Sequence, residues 1–244
     1  MTRTRRPVTD FARRILLRQL LGTAAAAMAC PPSRASNEAA PASNEPAPYE
    51  LLVRAHSLLR DLHARQLKPF LREWPSPSQR RSVAPASVPA LRWLPQIQQA
   101  APIFSASLVD ALVEAAPSLA WRRSYSAETA GAEFYENYGW TEFAGLTGPV
   151  PSEHLACGVL VLGPYTAYPS HRHEAEEIYV PLAGTARWKH GHDSWREEFP
   201  GTVIRHARHE SHAMQTGAEP LLALYLWRSR NLAQSSHLEA PPEH

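Results

Sequence analysis

Glycine and cysteine are both scarce in this 244-residue chain, at 11 and 2 residues. So little glycine argues against a Gly-rich nucleotide-binding fold, and two cysteines, Cys30 and Cys157, cannot build a disulfide framework. No run of about 18 apolar residues occurs, so no transmembrane span is expected after processing. What is plentiful is proline, 23 residues, which implies extended segments and pinned turns. With 44% hydrophobic and 20% charged residues, the rest is ordinary globular composition, enough for one core or one domain with an elaborated end.

The formal net charge of +2 hides an uneven distribution. Arg3, Arg5, Arg6, Arg13, Arg14 and Arg18 stand against Asp10 alone before residue 30, and the remainder is mildly acidic. The body therefore has no electrostatic case for nucleic acid. Residues 1–30 read as an export signal. A basic opening leads to a weakly apolar stretch, Leu20 to Ala29, and Ala27-Met28-Ala29 fits an A-x-A cleavage site. Arg13-Arg14-Ile15-Leu16-Leu17-Arg18 looks like a twin-arginine signal, pointing to a periplasmic or otherwise exported protein. Cys30 is also placed where a lipidated cysteine would stand. If the leader is instead an amphipathic helix that stays on, the protein is cytoplasmic.

Residues 31–47 are Pro, Ala, Ser and Asn without apolar period, a disordered linker. Residues 48–119 read as a helical region. Leu51, Leu52, His56, Leu58, Leu59, Leu62 and Leu67 recur at mostly helical steps, with Pro69 expected to kink or end that helix. A second helix is expected over Val88–Ala100, kinked or split at Pro95, and a third over Ser107–Ala116. Strands are expected at Ala156–Leu162, Glu177–Leu182, Thr185–His190, Thr202–His206 and Leu221–Trp227. Short strands at this spacing indicate a small β-barrel over 120–230, with 231–244 as a disordered tail.

Seven of the 12 histidines fall between His171 and His212. His171, His173, Glu177 and Tyr179 are all odd-numbered, so on regular strand they share a face. Imidazoles and a carboxylate converging there would make a divalent-metal site. The opposite face, Ile178, Val180 and Leu182, needs cover from the helices or from a partner subunit. A fourth ligand should come from another strand; Pro200-Gly201 opens a turn, with His212 eleven residues after the glycine. His190 and His192 flank Gly191 and read as solvated turn residues, His206 and His209 as exposed loop positions or supports of the site. Cys157 reads as packing, and no Ser/His/Asp triad signature is present.

H-x-H-x3-E-x6-G followed by P-G-x10-H resembles the two motifs of the cupin superfamily. The resemblance implies a mainly β fold, a cupin double-stranded β-barrel (jelly-roll) with an N-terminal helical extension, and one divalent metal held by His171, His173, Glu177 and His212. Zinc, iron, manganese, nickel and cobalt all suit such ligands. The segments Tyr135–Glu142, Gly163–His171, Glu176–Trp188 and Pro220–Trp227 narrow the resemblance to the cupin-type dimethylsulfoniopropionate (DMSP) lyases. That family splits DMSP into dimethyl sulfide and acrylate with a divalent metal and a tyrosine base. Its functional tyrosines match Tyr168 and Tyr179, implying Tyr179 as base and Tyr168 as alternative base or substrate orienter. A sulfonium prefers aromatic faces, for which Trp188, Trp195, Trp227 and Tyr225 are candidates. Cupins commonly form homodimers. The same ligands also suit a metal-dependent cupin dioxygenase or a lyase-like cupin acting on another small carboxylate, while a sensor or storage cupin fits the sequence less well.

Overall fold

The computed structural model describes residues 47–76 and 78–239. The export signal expected over 1–30, Cys30 and residues 31–46 of the expected linker lie outside them. Helix α1 runs Ala47–Asp61 and buries Leu51, Leu52, Ala55, Leu58 and Leu59, the spacing of one helical face. It stops before Leu67 because His63 turns to φ 52°, a left-handed conformation that an α-helix cannot continue through. A 3₁₀ turn at Arg65–Leu67 then leads into α2 over Lys68–Arg72, with Pro69 in its first turn. Pro69 thus opens a helix instead of ending one, since first-turn N–H groups have no intrahelical partner to lose. Pro95 acts likewise: a 3₁₀ turn at Pro89–Trp93 passes into α3, Leu94–Ala100, with the proline again in the first turn. Helix α4, Ile103–Ala115, buries Leu108, Val109 and Leu112. The short α5 (Ala127–Ala130) and α6 (Ala132–Asn137) lead into the sheets.

The strands are β1 (Tyr138–Gly145), β2 (Val150–Pro151), β3 (Leu155–Leu162), β4 (Ala167–Arg172), β5 (Glu176–Ala183), β6 (Ala186–His190), β7 (Arg196–Glu198), β8 (Ile204–His206), β9 (His212–Thr216), β10 (Leu221–Arg228) and β11 (His237–Leu238). Five of these, β3, β5, β6, β8 and β10, lie where the sequence pattern places strands. One sheet has the order β2-β1-β3-β10-β5-β8 and the other β11-β4-β9-β6-β7. All pairings are antiparallel except β1 with β2. The stretch expected as a tail behaves differently as far as Glu239. His237 and Leu238 pair with Arg172 and His171, and the Glu239 carboxylate accepts hydrogen bonds from Ser170 and Ser211 Oγ. This segment covers what would otherwise be the open edge of β4.

Two apolar clusters explain the layers. Ile178, Val180 and Leu182 of β5, Val159 and Val161 of β3, and Leu222, Leu224 and Leu226 of β10 pack with Leu51, Leu59, Ile97 and Leu112 of the helices. The helices, within this one chain, therefore cover that face. Ser105 Oγ of α4 adds a 2.6 Å hydrogen bond to the Leu182 carbonyl. The opposite faces contribute Leu160, Tyr179, Ala223 and Tyr225, which meet Tyr168, Trp188 and Met214 inside the barrel. Strands β3 and β5 are buried along their whole length because each is covered on both faces. Cys157 is fully buried on the helix side, and burial raises its thiol pKa, which fits packing. This is the cupin double-stranded β-barrel with an N-terminal helical extension.

Candidate metal centre and cavity

His171, His173, Glu177 and His212 are all buried and meet between the two sheets. They do not share one regular strand. β4 ends at Arg172, and the chain turns through residues 173–175 before β5 begins at Glu176. The chain thus crosses from one sheet to the other, with His171 on one wall and Glu177 on the other. Cross-strand register supplies the last member, since His212 of β9 lies opposite His171 of β4. One nitrogen from each of His171, His173 and His212 falls within 4.8 Å of the others.

The three imidazoles are oriented in the same way. Each Nδ1 lies 2.9 Å from a backbone carbonyl two residues away: Pro169 for His171, Ala175 for His173 and Glu210 for His212. A carbonyl only accepts, so each Nδ1 carries a proton, which leaves Nε2 as the atom able to offer a lone pair to an ion. His173 Nε2 nevertheless lies 2.9 Å from Glu177 Oε2. His212 Nε2 lies 3.1 Å from that oxygen, and among the described residues it has no hydrogen-bond partner. The other carboxylate oxygen, Oε1, accepts the Trp227 indole N–H at 2.6 Å. Lone pairs converging on a buried carboxylate oxygen repel unless a cation stands among them. The donor set therefore fits a divalent metal. Burial works to raise the Glu177 carboxyl pKa, whereas positive charge on His173 and His212 outweighs it and holds it well below the usual range, a role that a bound cation would fill. Burial, followed by neighbouring His212, pushes His171 well below the ordinary imidazole value.

Tyr168 and Tyr179 stand on opposite sheets and line one cavity with Glu177. Tyr168 is even-numbered and His171 odd, so a regular strand would send them to opposite faces. Between them the register of β4 against β9 slips: Tyr168 pairs with Met214 and His171 with His212. Two residues, Pro169 and Ser170, thus oppose the single Ala213, a β-bulge. The bulge brings both rings inward, where they stack at 4.2 Å and 11°. The Tyr168 hydroxyl lies 3.4 Å from that of Tyr138, which is 3.2 Å from Ser124 Oγ. Burial above all lifts both phenols well above their ordinary pKa, with the Glu177 charge next in importance at Tyr179 and Tyr138 next at Tyr168.

The cavity holds about 350 Å³ and is walled by Tyr138, Trp140, Tyr225 and Trp227, with Leu232–Ser236 along one side. Tyr125 donates to Ser236 Oγ at 2.8 Å and ties that segment to the barrel. Tyr225 and Trp227, expected as aromatic candidates, thus reach the cavity. Trp188 is instead core, fully buried, and Trp195 lies beside the Arg187 guanidinium. Tyr138, Trp140 and Glu142 were not singled out from sequence, although their segment is one that carries the family resemblance. His192 and His209 are exposed, whereas His206 is fully buried and stacked on His212 at 4.0 Å. His190 ends β6, half-buried against His206, and so is no turn residue.

A family model for dimethylsulfoniopropionate lyase matches residues 62–223. Dimethylsulfoniopropionate lyase DddQ of Ruegeria pomeroyi is 36% identical over 124 residues, covering 50% of this chain and 61% of that protein. The chain thus spans less than two thirds of that relative's length. Among solved structures, a chain from the DMSP lyases RdDddP and RnDddQII aligns with a TM-score of 0.69 at 30% identity, over 79% of this chain and 100% of its own. DMSP lyase DddQ from Ruegeria pomeroyi DSS-3 aligns with a TM-score of 0.68 at 28% identity, over 82% and 100%. With the family match covering most of the described helical region and barrel, this chain belongs to the dimethylsulfoniopropionate lyase family.

Proposed function

We propose that this chain is a divalent-metal-dependent carbon–sulfur lyase that splits DMSP into dimethyl sulfide and acrylate. The observation that carries the reading is the pair of buried tyrosines flanking a three-histidine, one-glutamate cluster in an aromatic cavity. His171, His173, Glu177 and His212 would hold the ion. When bound, it supplies Lewis acidity toward the substrate carboxylate and favours the ionised form of a nearby phenol. That help is required, because burial and the Glu177 charge oppose ionisation of Tyr179. Tyr179 then takes the proton alpha to the carboxylate. The electron pair left behind forms the carbon–carbon double bond of acrylate, the carbon–sulfur bond breaks, and dimethyl sulfide leaves neutral. Tyr168, held by its stack on His171 and by the Tyr138 hydroxyl, orients the substrate. Trp140, Tyr225 and Trp227 offer aromatic faces to the sulfonium.

Headspace gas chromatography for dimethyl sulfide tests this with metal-stripped and metal-reloaded protein. Reloaded protein is expected to release the gas and stripped protein not. Tyr179→Phe is expected to lower kcat by about 10²–10⁴-fold, the usual weight of a general base, and Tyr168→Phe by less. The reverse order would assign the base to Tyr168. No gas from folded, metal-loaded protein would refute the substrate assignment, and oxygen uptake in its place would make the chain a dioxygenase.

A further inference from the structure

Beyond His212, with the Tyr179 ring 6.1 Å from that of His206, a second group of ligand atoms comes together. A ring nitrogen of His190, a ring nitrogen of His206 and a carboxylate oxygen of Glu210 lie within 4.8 Å of one another. His190 closes β6, His206 closes β8, and Glu210 sits in the loop before β9, so three separate segments converge. His206 is fully buried, and among the described residues neither of its ring nitrogens has a hydrogen-bond partner. A neutral imidazole always carries one N–H and one lone pair. Leaving both unmet in the interior is the exception in folded proteins and calls for a ligand. Its ring neighbours, His212 stacked at 4.0 Å and His190 tilted at 4.4 Å, satisfy neither nitrogen.

The remaining members complete a cation site. His190 Nδ1 lies 3.6 Å from Glu210 Oε1, while Glu210 Oε2 accepts the Ala207 N–H at 2.6 Å. The carboxylate is thus anchored by one oxygen with the other turned to the histidines. His190 and Glu210 each remain about a quarter exposed in their side chains, which gives an ion a way in. We infer that His190, His206 and Glu210 bind a second divalent transition-metal ion of the zinc class, with water in its fourth position. Two imidazoles and one carboxylate are a suitable donor set for such an ion. The two sites are mechanically joined, because the Glu210 backbone carbonyl is the group that orients His212.

The test is metal stoichiometry. Metal-stripped full-length protein is titrated with zinc against a chromophoric chelator, and crystals soaked in zinc are measured at the zinc absorption edge. Wild type is expected to bind two equivalents per chain, the second more weakly. His190→Gln and Glu210→Gln, chosen because one side chain is partly exposed and the other keeps its anchoring oxygen, are expected to bind one equivalent each. His171→Ala is expected to retain the equivalent at His206, which separates this site from the one invoked for catalysis. One equivalent in wild type, two in both variants, or water alone beside His206 in the crystals would overturn the assignment. None of these readouts depends on lyase activity.

Discussion

Glu177 is held from two sides: Trp227 takes one carboxylate oxygen and leaves the other to the histidines. Trp227→Phe keeps the ring that lies 4.2 Å from His173 but removes the indole N–H. Loss of a group that orients a ligand typically costs 10–100-fold in metal affinity. A fall of about that size is expected in chelator competition, with the melting curve little changed. Glu142 behaves differently. Burial raises its carboxyl pKa even though Thr147 N–H, Thr147 hydroxyl and Gly148 N–H all donate to Oε1. A folded-state pKa above the unfolded one gives stability at low pH that is lost as pH rises through the folded value. Glu142→Gln retains the accepting oxygen without the charge. It is expected to melt higher than wild type near pH 7.5, with the difference closing as pH falls toward the ordinary carboxylate value of about 4.3.

Among the elements, the strands that carry apolar residues were legible in the sequence, β5 with Glu177 and Tyr179 among them, whereas β4 and β9, which carry Tyr168, His171 and His212, were not. Leu155–Leu162 and Leu221–Arg228 are nearly continuous apolar runs. By contrast β4, Ala167–Arg172, contains a proline, a serine and a histidine, and β9 is short and half polar. Their strand character comes from pairing with each other, which no local pattern displays. His171, His173, Glu177 and His212, which the fold brings together, were nonetheless named from spacing and family resemblance. Alternation within one strand was the wrong geometric reason, because the chain changes sheets between His173 and Glu176. Gly184, in the turn from β5 to β6, has φ 79°, and a Cβ there would run into the Pro220 carbonyl. Gly184→Ala is therefore expected to cost about 1–3 kcal/mol by urea unfolding. Gly217→Ala, where a Cβ meets open space, is expected to cost less.

At the scale of the whole molecule, the helices and the barrel share one apolar layer, so they are expected to unfold together. Leu112, fully buried in that layer on α4, tests the point. Leu112→Ala should cost about 2–5 kcal/mol while leaving one cooperative transition in circular dichroism and fluorescence alike. Separate transitions for helical and aromatic signals would show that the layers are independent. The helical half was visible in sequence as a three- and four-residue apolar rhythm, but the part played by its prolines was not. Pro69 and Pro95 read as breaks, yet a break in one helix is also an allowed start for the next. The stretch after Arg228 was the least legible, because its pairing is with the edge of β4 and its own residues carry no apolar signal. Among the described residues no helix is long and apolar enough to cross a membrane.

The bulge in β4 bears on how such chemistry is found by pattern. Two inward rings on a regular strand must be an even number of positions apart, yet here the phenol and the first imidazole are separated by three. A search template built on the histidine motif alone leaves the register of this strand, and so the direction of residue 168, unspecified. Adding the odd spacing, Tyr-Pro-Ser-His as it stands at 168–171, would select for the slipped register itself. Four letters would then encode a three-dimensional property that strand periodicity obscures.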